Sequence, residues 1–452
     1  MDYFEANCER FLEGLKTWLR IPSISTAPEH KPDIRRAAEF IAAELRDAGL
    51  QNAGLIEGQG HPLVYAEWLG APGKPTLLFY GHYDVQPPDP LDEWKSAPFE
   101  PEIRDNNIYA RGASDDKGQT YILVKAVEGL LKTRGKLPVN VRFLIEGEEE
   151  VGGEHIAAYV AGKPANLKAD AAVICDTEMF APDLPTLCVG LRGIVYGELR
   201  VEGASHDLHS GVYGGAAPNP IQAIAEILCA LKDRDGHILI PGFTDRVIAP
   251  SEKESAAWAR LPFNEREYRE KEMGARELVG EPEHTLFERV WARPTLEVHG
   301  IRGGFTGEGA KTVIPARALA KLSMRLVADQ RPEEATAQLK AAVARVCPRG
   351  VTAEFESIHG AAPSLVNPDN PFIRAAASAM AEVFGGETVY IRSGGSIPIV
   401  GSFDQHLGIP SVLMGFGLPD DNLHAPNEKF HLPNFYRGIR AVARYLDVLG
   451  ED

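Results

Sequence analysis

The chain has 452 residues, 44% hydrophobic and 25% charged, with 64 acidic against 47 basic side chains and a formal charge of −17. At about 100–200 residues per domain, this length predicts two or three domains with ample buried core. The acidic balance argues against nucleic acid and anionic membrane surfaces as partners, since both need a basic face. Small molecules or peptides fit better.

The first residues, MDYFEANCERFLEGLKTWLR, follow an amphipathic helical pattern and not that of a signal-peptide core. No run approaches the roughly 18 apolar residues of a membrane span. A cytoplasmic protein is expected. Its five cysteines (Cys8, Cys175, Cys188, Cys229, Cys347) are widely spaced with no C-x-x-C, which predicts buried free thiols. Helical periodicity covers 37–50, 121–135 and 435–450, and apolar runs of strand type cover 76–80, 139–145, 171–175 and 411–416. Their alternation predicts an α/β domain with a mostly parallel central sheet. From about 190 to 366 the pattern changes to β-α-β-β-α-β, the ferredoxin-like split unit, with a charged, Pro-bearing excursion over 235–292. The expected organisation is an α/β domain of residues 1–190 and 367–452, with 191–366 as an inserted α+β domain.

Open α/β sheets bind ligands beyond the carboxyl ends of their strands. Those positions carry an unusual set of side chains. Gly81-His82-Tyr83-Asp84 follows the first run, Glu146-Gly147-Glu148-Glu149-Glu150 the second and Asp176 the third; His424 lies beyond the fourth. The loop Arg111-Gly-Ala-Ser-Asp115-Asp116-Lys117-Gly opens a helix between the first two. Two imidazoles and several carboxylates suit divalent zinc, manganese or cobalt, and the set exceeds the need of one ion. A pair of ions sharing one carboxylate uses it better.

GHYDVQP, YARGASDDKGQ, EGEEEVGG, the Asp after AVIC, DLHSGVYGG, GEGAKTVIP, RSGGSIP and NLHAPNE together resemble the di-zinc metallopeptidases that include carnosinase and cytosolic non-specific dipeptidase. Aminoacylase, acetylornithine deacetylase, succinyl-diaminopimelate desuccinylase and bacterial glutamate carboxypeptidase are more distant relatives. The motifs run in order from about residue 10 to 440. The resemblance implies two divalent ions, with zinc first and manganese or cobalt as alternatives. It makes Asp115 the bridging carboxylate, His82 and Asp176 ligands of one ion, and Glu150 and His424 ligands of the other. Asp84 is implied to orient His82, and Glu149 to act as general base on the attacking water. In the inserted domain His209 is implied to reach the partner subunit's site as an oxyanion donor. Arg325 would grip the substrate's terminal carboxylate, aided by Thr312 and Ser396. A homodimer through the inserted domain follows from that role of His209.

Ordinary roles compete with these. Asp115, with Ser114 and Asp116, could cap the following helix; the Glu148–Glu150 run could be a solvated turn; Arg325 could face water. His206 reads as a loop histidine. Gly303-Gly304-Phe-Thr-Gly307-Glu-Gly309 lacks the Gly-Lys-Ser/Thr ending of a phosphate loop, and neither Ser393 nor Ser396 sits in a nucleophile elbow. No H-E-x-x-H occurs. The expected activity is therefore metal-dependent hydrolysis of a dipeptide or short peptide with a free C-terminal carboxylate. An N-acyl amino acid deacylase is the alternative, and a catalytically inactive binding protein the remote one.

Overall fold

The computed structural model describes residues 2–162 and 167–451. They form two compact units, one of Met1–Val189, Val366–Ile391 and Pro398–Asp452, the other of Gly190–Leu365 and Arg392–Ile397. The short Arg392–Ile397 segment thus belongs to the second unit, although the residues flanking it belong to the first.

The first unit is built on a mixed sheet. Strand Thr76–His82 lies at its centre and pairs in parallel with Asn140–Glu146 on one side and Ala171–Ile174 on the other; Ser411–Leu413 continues the parallel run. Antiparallel pairing finishes the edges, through Leu63–Trp68 and Gln51–Ile56 at one end and Thr186–Leu191 at the other. Parallel strands covered on both faces need apolar side chains on both. Accordingly Leu77 and Phe79 join the main helical core, while Tyr80, which points the other way, packs edge-on against Phe403.

Helices Cys8–Leu19, Lys31–Ala48, Lys117–Arg134, Pro371–Phe384 and Leu432–Glu451 complete that core. Lys31–Ala48 begins six residues before the periodic stretch, because its first turn is polar and carries Pro at the helix start. Two helices stop at glycines in the left-handed region, Gly49 at φ 107° and Gly135 at φ 68°.

In the second unit, strands Thr295–Gly303, Arg317–Leu326, Gly193–Glu202 and Thr352–Ala361 stand side by side in that order, all antiparallel. Helices Pro220–Leu231 and Pro332–Val346 pack against them. This is the strand order of a ferredoxin-like unit. Of the five cysteines, Cys175 and Cys188 are buried, but Cys8 and Cys347 are only half-buried and Cys229 is exposed. The expectation of uniform burial is corrected by Cys229, which occupies the outer face of the amphipathic Pro220–Leu231 helix. No helix among the described residues is long and apolar enough to cross a membrane.

Candidate active site

Three adjacent parallel strands end together at one edge of the first unit's sheet, with His82 directly opposite Glu146. Their continuations bring His82, Glu149, Glu150 and Asp176 to that edge. Asp115 arrives on the loop before helix Lys117–Arg134, and His424 on the loop between Ser411–Leu413 and Lys429–His431.

Asp115 is the hub. Its Oδ1 lies 3.0 Å from His82 Nε2 and its Oδ2 2.9 Å from His424 Nε2. Asp176 Oδ2 stands 3.9 Å from His82 Nε2, and Glu150 Oε2 stands 3.4 Å from His424 Nε2. Two triads result, His82–Asp115–Asp176 and Asp115–Glu150–His424, and the potential donor atoms of each lie within 4.8 Å of one another.

Asp84 is completely buried, and its carboxylate accepts the backbone N–H groups of Glu149 at 3.2 Å and Glu150 at 3.1 Å. His82 Nδ1 is closer to the Asp84 carbonyl, at 3.1 Å, than to its carboxylate, at 3.4 Å. Asp84 therefore orients the glutamate loop as well as the imidazole. Asp116 faces elsewhere: its Oδ2 accepts from His82 N and from Thr120 Oγ1. Glu148 Oε1 accepts from His61 N. These two carboxylates hold backbone and stand outside both triads.

Burial opposes ionisation of Asp115, yet the bonds from His424 and His82 bring its pKa below the usual carboxylate range. Its neighbours respond in the opposite sense. Burial and the Asp115 charge push Glu150 to about 9 and Asp176 to about 6. Burial pushes Glu149 well up; the charges of Asp176 and Glu150 add to this against the pull of His82. Such crowded carboxylates resist joint ionisation unless cations share the space. With one imidazole in each triad and Asp115 common to both, the donor set fits two divalent ions.

Gln86 was missed by sequence reasoning; its Nε2 donates to Glu150 Oε2 at 2.7 Å. Its position inside GHYDVQP was the available signal. Tyr80 was missed as well, its hydroxyl donating to buried Glu146 at 2.6 Å. Tyr80, Glu146 and Glu149 line one small cavity with Ile156, Pro398 and Ile399.

The second unit holds the other four expected residues. Arg325 Nη1 donates to Ser396 Oγ at 3.0 Å, and that hydroxyl donates to the Arg192 carbonyl. His209 is exposed and its Nδ1 accepts from Gly211 N at 3.0 Å, which leaves the ring proton on Nε2. Strand pairing sets His209 opposite Val313, beside exposed Thr312. His206 is exposed and bonds only to Ser205 Oγ among the described residues. A further acidic group, Asp233, Asp235 and His237, lies on this unit's surface. Its imidazole is already engaged at both nitrogens, by Asp233 at 2.9 Å and Glu283 at 3.0 Å.

Residues 78–448 match Peptidase family M20/M25/M40. The chain is 32% identical over 460 residues to a Cys-Gly metallodipeptidase of Schizosaccharomyces pombe, covering 98% of this chain and 96% of the relative. It is similar in structure to human carnosine dipeptidase 1, with a TM-score of 0.84, 30% identity and coverage of 100% and 98% of the two chains. An M20 family metallo-carboxypeptidase from Sulfolobus solfataricus gives a TM-score of 0.85 at 33% identity, with 100% of both chains covered. With the ordered motifs and the two triads sharing Asp115, these likenesses mean that the chain belongs to peptidase family M20/M25/M40.

Proposed function

We propose that this chain hydrolyses the amide bond of dipeptides with a free C-terminal carboxylate, using two divalent ions, zinc by preference, held by His82, Asp115, Asp176, Glu150 and His424. The observation that carries the reading is the pair of triads sharing Asp115. Dipeptide hydrolysis dependent on metal agrees with the names of the relatives, a Cys-Gly metallodipeptidase and a human Beta-Ala-His dipeptidase 31% identical over 460 residues.

When bound, the ions supply Lewis acidity for the scissile carbonyl and for the attacking water. Glu149, beside the triads and with no ligand duty in this scheme, accepts the proton of that water at its carboxylate and passes it to the leaving amine nitrogen. Asp84 keeps Glu149 and Glu150 in place through their backbone N–H groups. The roles of Arg325, Ser396 and Thr312 at the substrate carboxylate, and of His209 Nε2 as donor to the developing oxyanion, belong to the same proposal. So does a homodimer through the second unit. A cytoplasmic setting is included too.

Chelation should abolish hydrolysis of an alanyl dipeptide, and added zinc or manganese should restore it. The same preparation should turn over N-acetyl and N-succinyl amino acids at least 10-fold more slowly, a difference of about 1.4 kcal/mol in transition-state binding. Faster turnover of the acyl amino acids would move the reading to a deacylase.

A further inference from the structure

We infer that Glu428 is a positioning residue that fixes Asp115 and His424 in a common register; the inference rests on the di-metal centre proposed above. Glu428 is fully buried, and its carboxylate is saturated with donors from one short segment. Oε2 accepts from Arg111 Nη1 at 2.7 Å and from Gly112 N at 2.9 Å. Oε1 accepts from Ser114 N at 3.0 Å and from Asp115 N at 3.1 Å. The Glu428 carbonyl takes Ala110 N at 3.1 Å. The last of the carboxylate's donors belongs to Asp115 itself, the residue on which both imidazoles converge.

His424 lies four residues earlier on the same loop. Its side chain is 55% exposed, in contrast to 0% for His82, so burial does little to hold it. The loop is anchored on its other side by buried Asp421, whose Oδ2 accepts from Ser114 Oγ at 2.8 Å and from Leu418 N at 2.8 Å. Ser114 is therefore gripped from both ends of the His424 loop. His424 cannot slide relative to Asp115 without breaking bonds to Glu428 or Asp421.

A carboxylate is the side chain this position requires. Three N–H groups and a guanidinium converge, and only an acceptor-only group with about four lone-pair sites satisfies them all. Glutamine at 428 keeps the shape but turns an amide N–H₂ toward donors. It also strips buried Arg111 of its one ion-pair partner among the described residues.

The probe is Co²⁺, titrated into the metal-free full chain against a competing chelator, with visible absorption and thermal midpoint recorded. Glu428→Gln should weaken Co²⁺ binding by about 10- to 100-fold, the range found when partners of metal ligands are lost. It should also alter the absorption of the loaded protein, and Glu428→Asp should recover part of the loss. Leu446→Ala, which empties a buried site in the C-terminal helix, should lower the midpoint and leave Co²⁺ affinity unchanged. Folded Glu428→Gln with wild-type affinity and spectrum overturns the inference. So does Leu446→Ala losing as much affinity at equal destabilisation, because the role is then merely structural. If Glu428→Gln does not fold, Glu428→Asp decides, and wild-type affinity in it overturns the inference. Failure of the wild-type chain to bind Co²⁺ at all instead overturns the metal centre beneath it.

Discussion

Glu148, Glu149 and Glu150 are consecutive and chemically identical, yet each meets a different set of atoms. Glu148 accepts from His61 N, Glu150 from Gln86 while facing His424, and Glu149 faces the cavity beside Tyr80 and Ile156. Spacing alone could not separate them, because what separates them is long-range. A single side chain is likewise defined by its neighbours at His237, held between Asp233 and Glu283. The bond to Asp233, then the one to Glu283, raises its pKa above the ordinary 6.5, and the bonds from His237 lower Asp233 against the opposing effect of burial. The His237 contribution to stability is therefore complete below its unfolded pKa and is lost as pH rises through the raised folded value. The Asp233 contribution is present above 3.8 and is lost as pH falls through the depressed value. Replacing Glu283 with Gln should return the His237 pKa toward 6.5, as read by an NMR titration of the imidazole. An unchanged titration would show that Glu283 contributes nothing there.

Helix Lys117–Arg134 is the element on which the site leans hardest, since it begins two residues after Asp115 and is buried on every side from Lys117 to Leu130. Its second residue has no room to grow: a Cβ on Gly118 would lie 2.0 Å from the Ala113 carbonyl oxygen and 2.8 Å from the Phe430 ring. Gly118→Ala should therefore destabilise the protein by about 1–3 kcal/mol in urea unfolding, the usual range for overpacking. Gly54→Ala, at an edge-strand position with nothing within 4 Å, should stay within about 0.5 kcal/mol. Equal effects would mean that the helix start yields freely. The same contrast between buried and edge elements decided what the sequence revealed. TLLFY, VNVRFLI and AAVIC were legible as strands because parallel central strands are apolar on both faces. Gln51–Ile56, the partly exposed edge strand, and its antiparallel neighbour Leu63–Trp68, buried at Leu63, Val64 and Ala66, mix polar with apolar residues and passed unnoticed. SVLMGF looked longer than the strand that forms, because pairing ends at Leu413 while the apolar residues continue into the core as loop. His82, Asp115, Asp176 and His424 were legible through their motifs. Glu428 and Gln86 sat in the same motifs, but their partners lie 64 to 317 residues away in sequence, beyond anything local patterning records.

At the scale of the whole molecule, the proposed machinery is divided between the two units. His82, Asp84, Asp115, Glu149, Glu150, Asp176 and His424 belong to the first; His209, Thr312, Arg325 and Ser396 belong to the second. His209 is exposed in the single chain, and its Nδ1 is occupied by Gly211 N, so Nε2 is the atom available to donate. If that donor serves the partner subunit's site, one complete site needs Glu149 from one protomer and His209 from the other. His209→Ala and Glu149→Ala should then each abolish dipeptide hydrolysis alone. Mixed and allowed to exchange, they should regain up to about a quarter of wild-type activity, since half the dimers are mixed and one of the two sites in each is intact. Differential labelling of the two variants, followed by intact-mass measurement, checks that exchange has taken place. Mixed dimers without activity would place His209 at the site of its own chain. Two variants that never exchange and remain monomeric in sedimentation would remove the dimer from the proposal, while the two triads around Asp115 would stand unaffected.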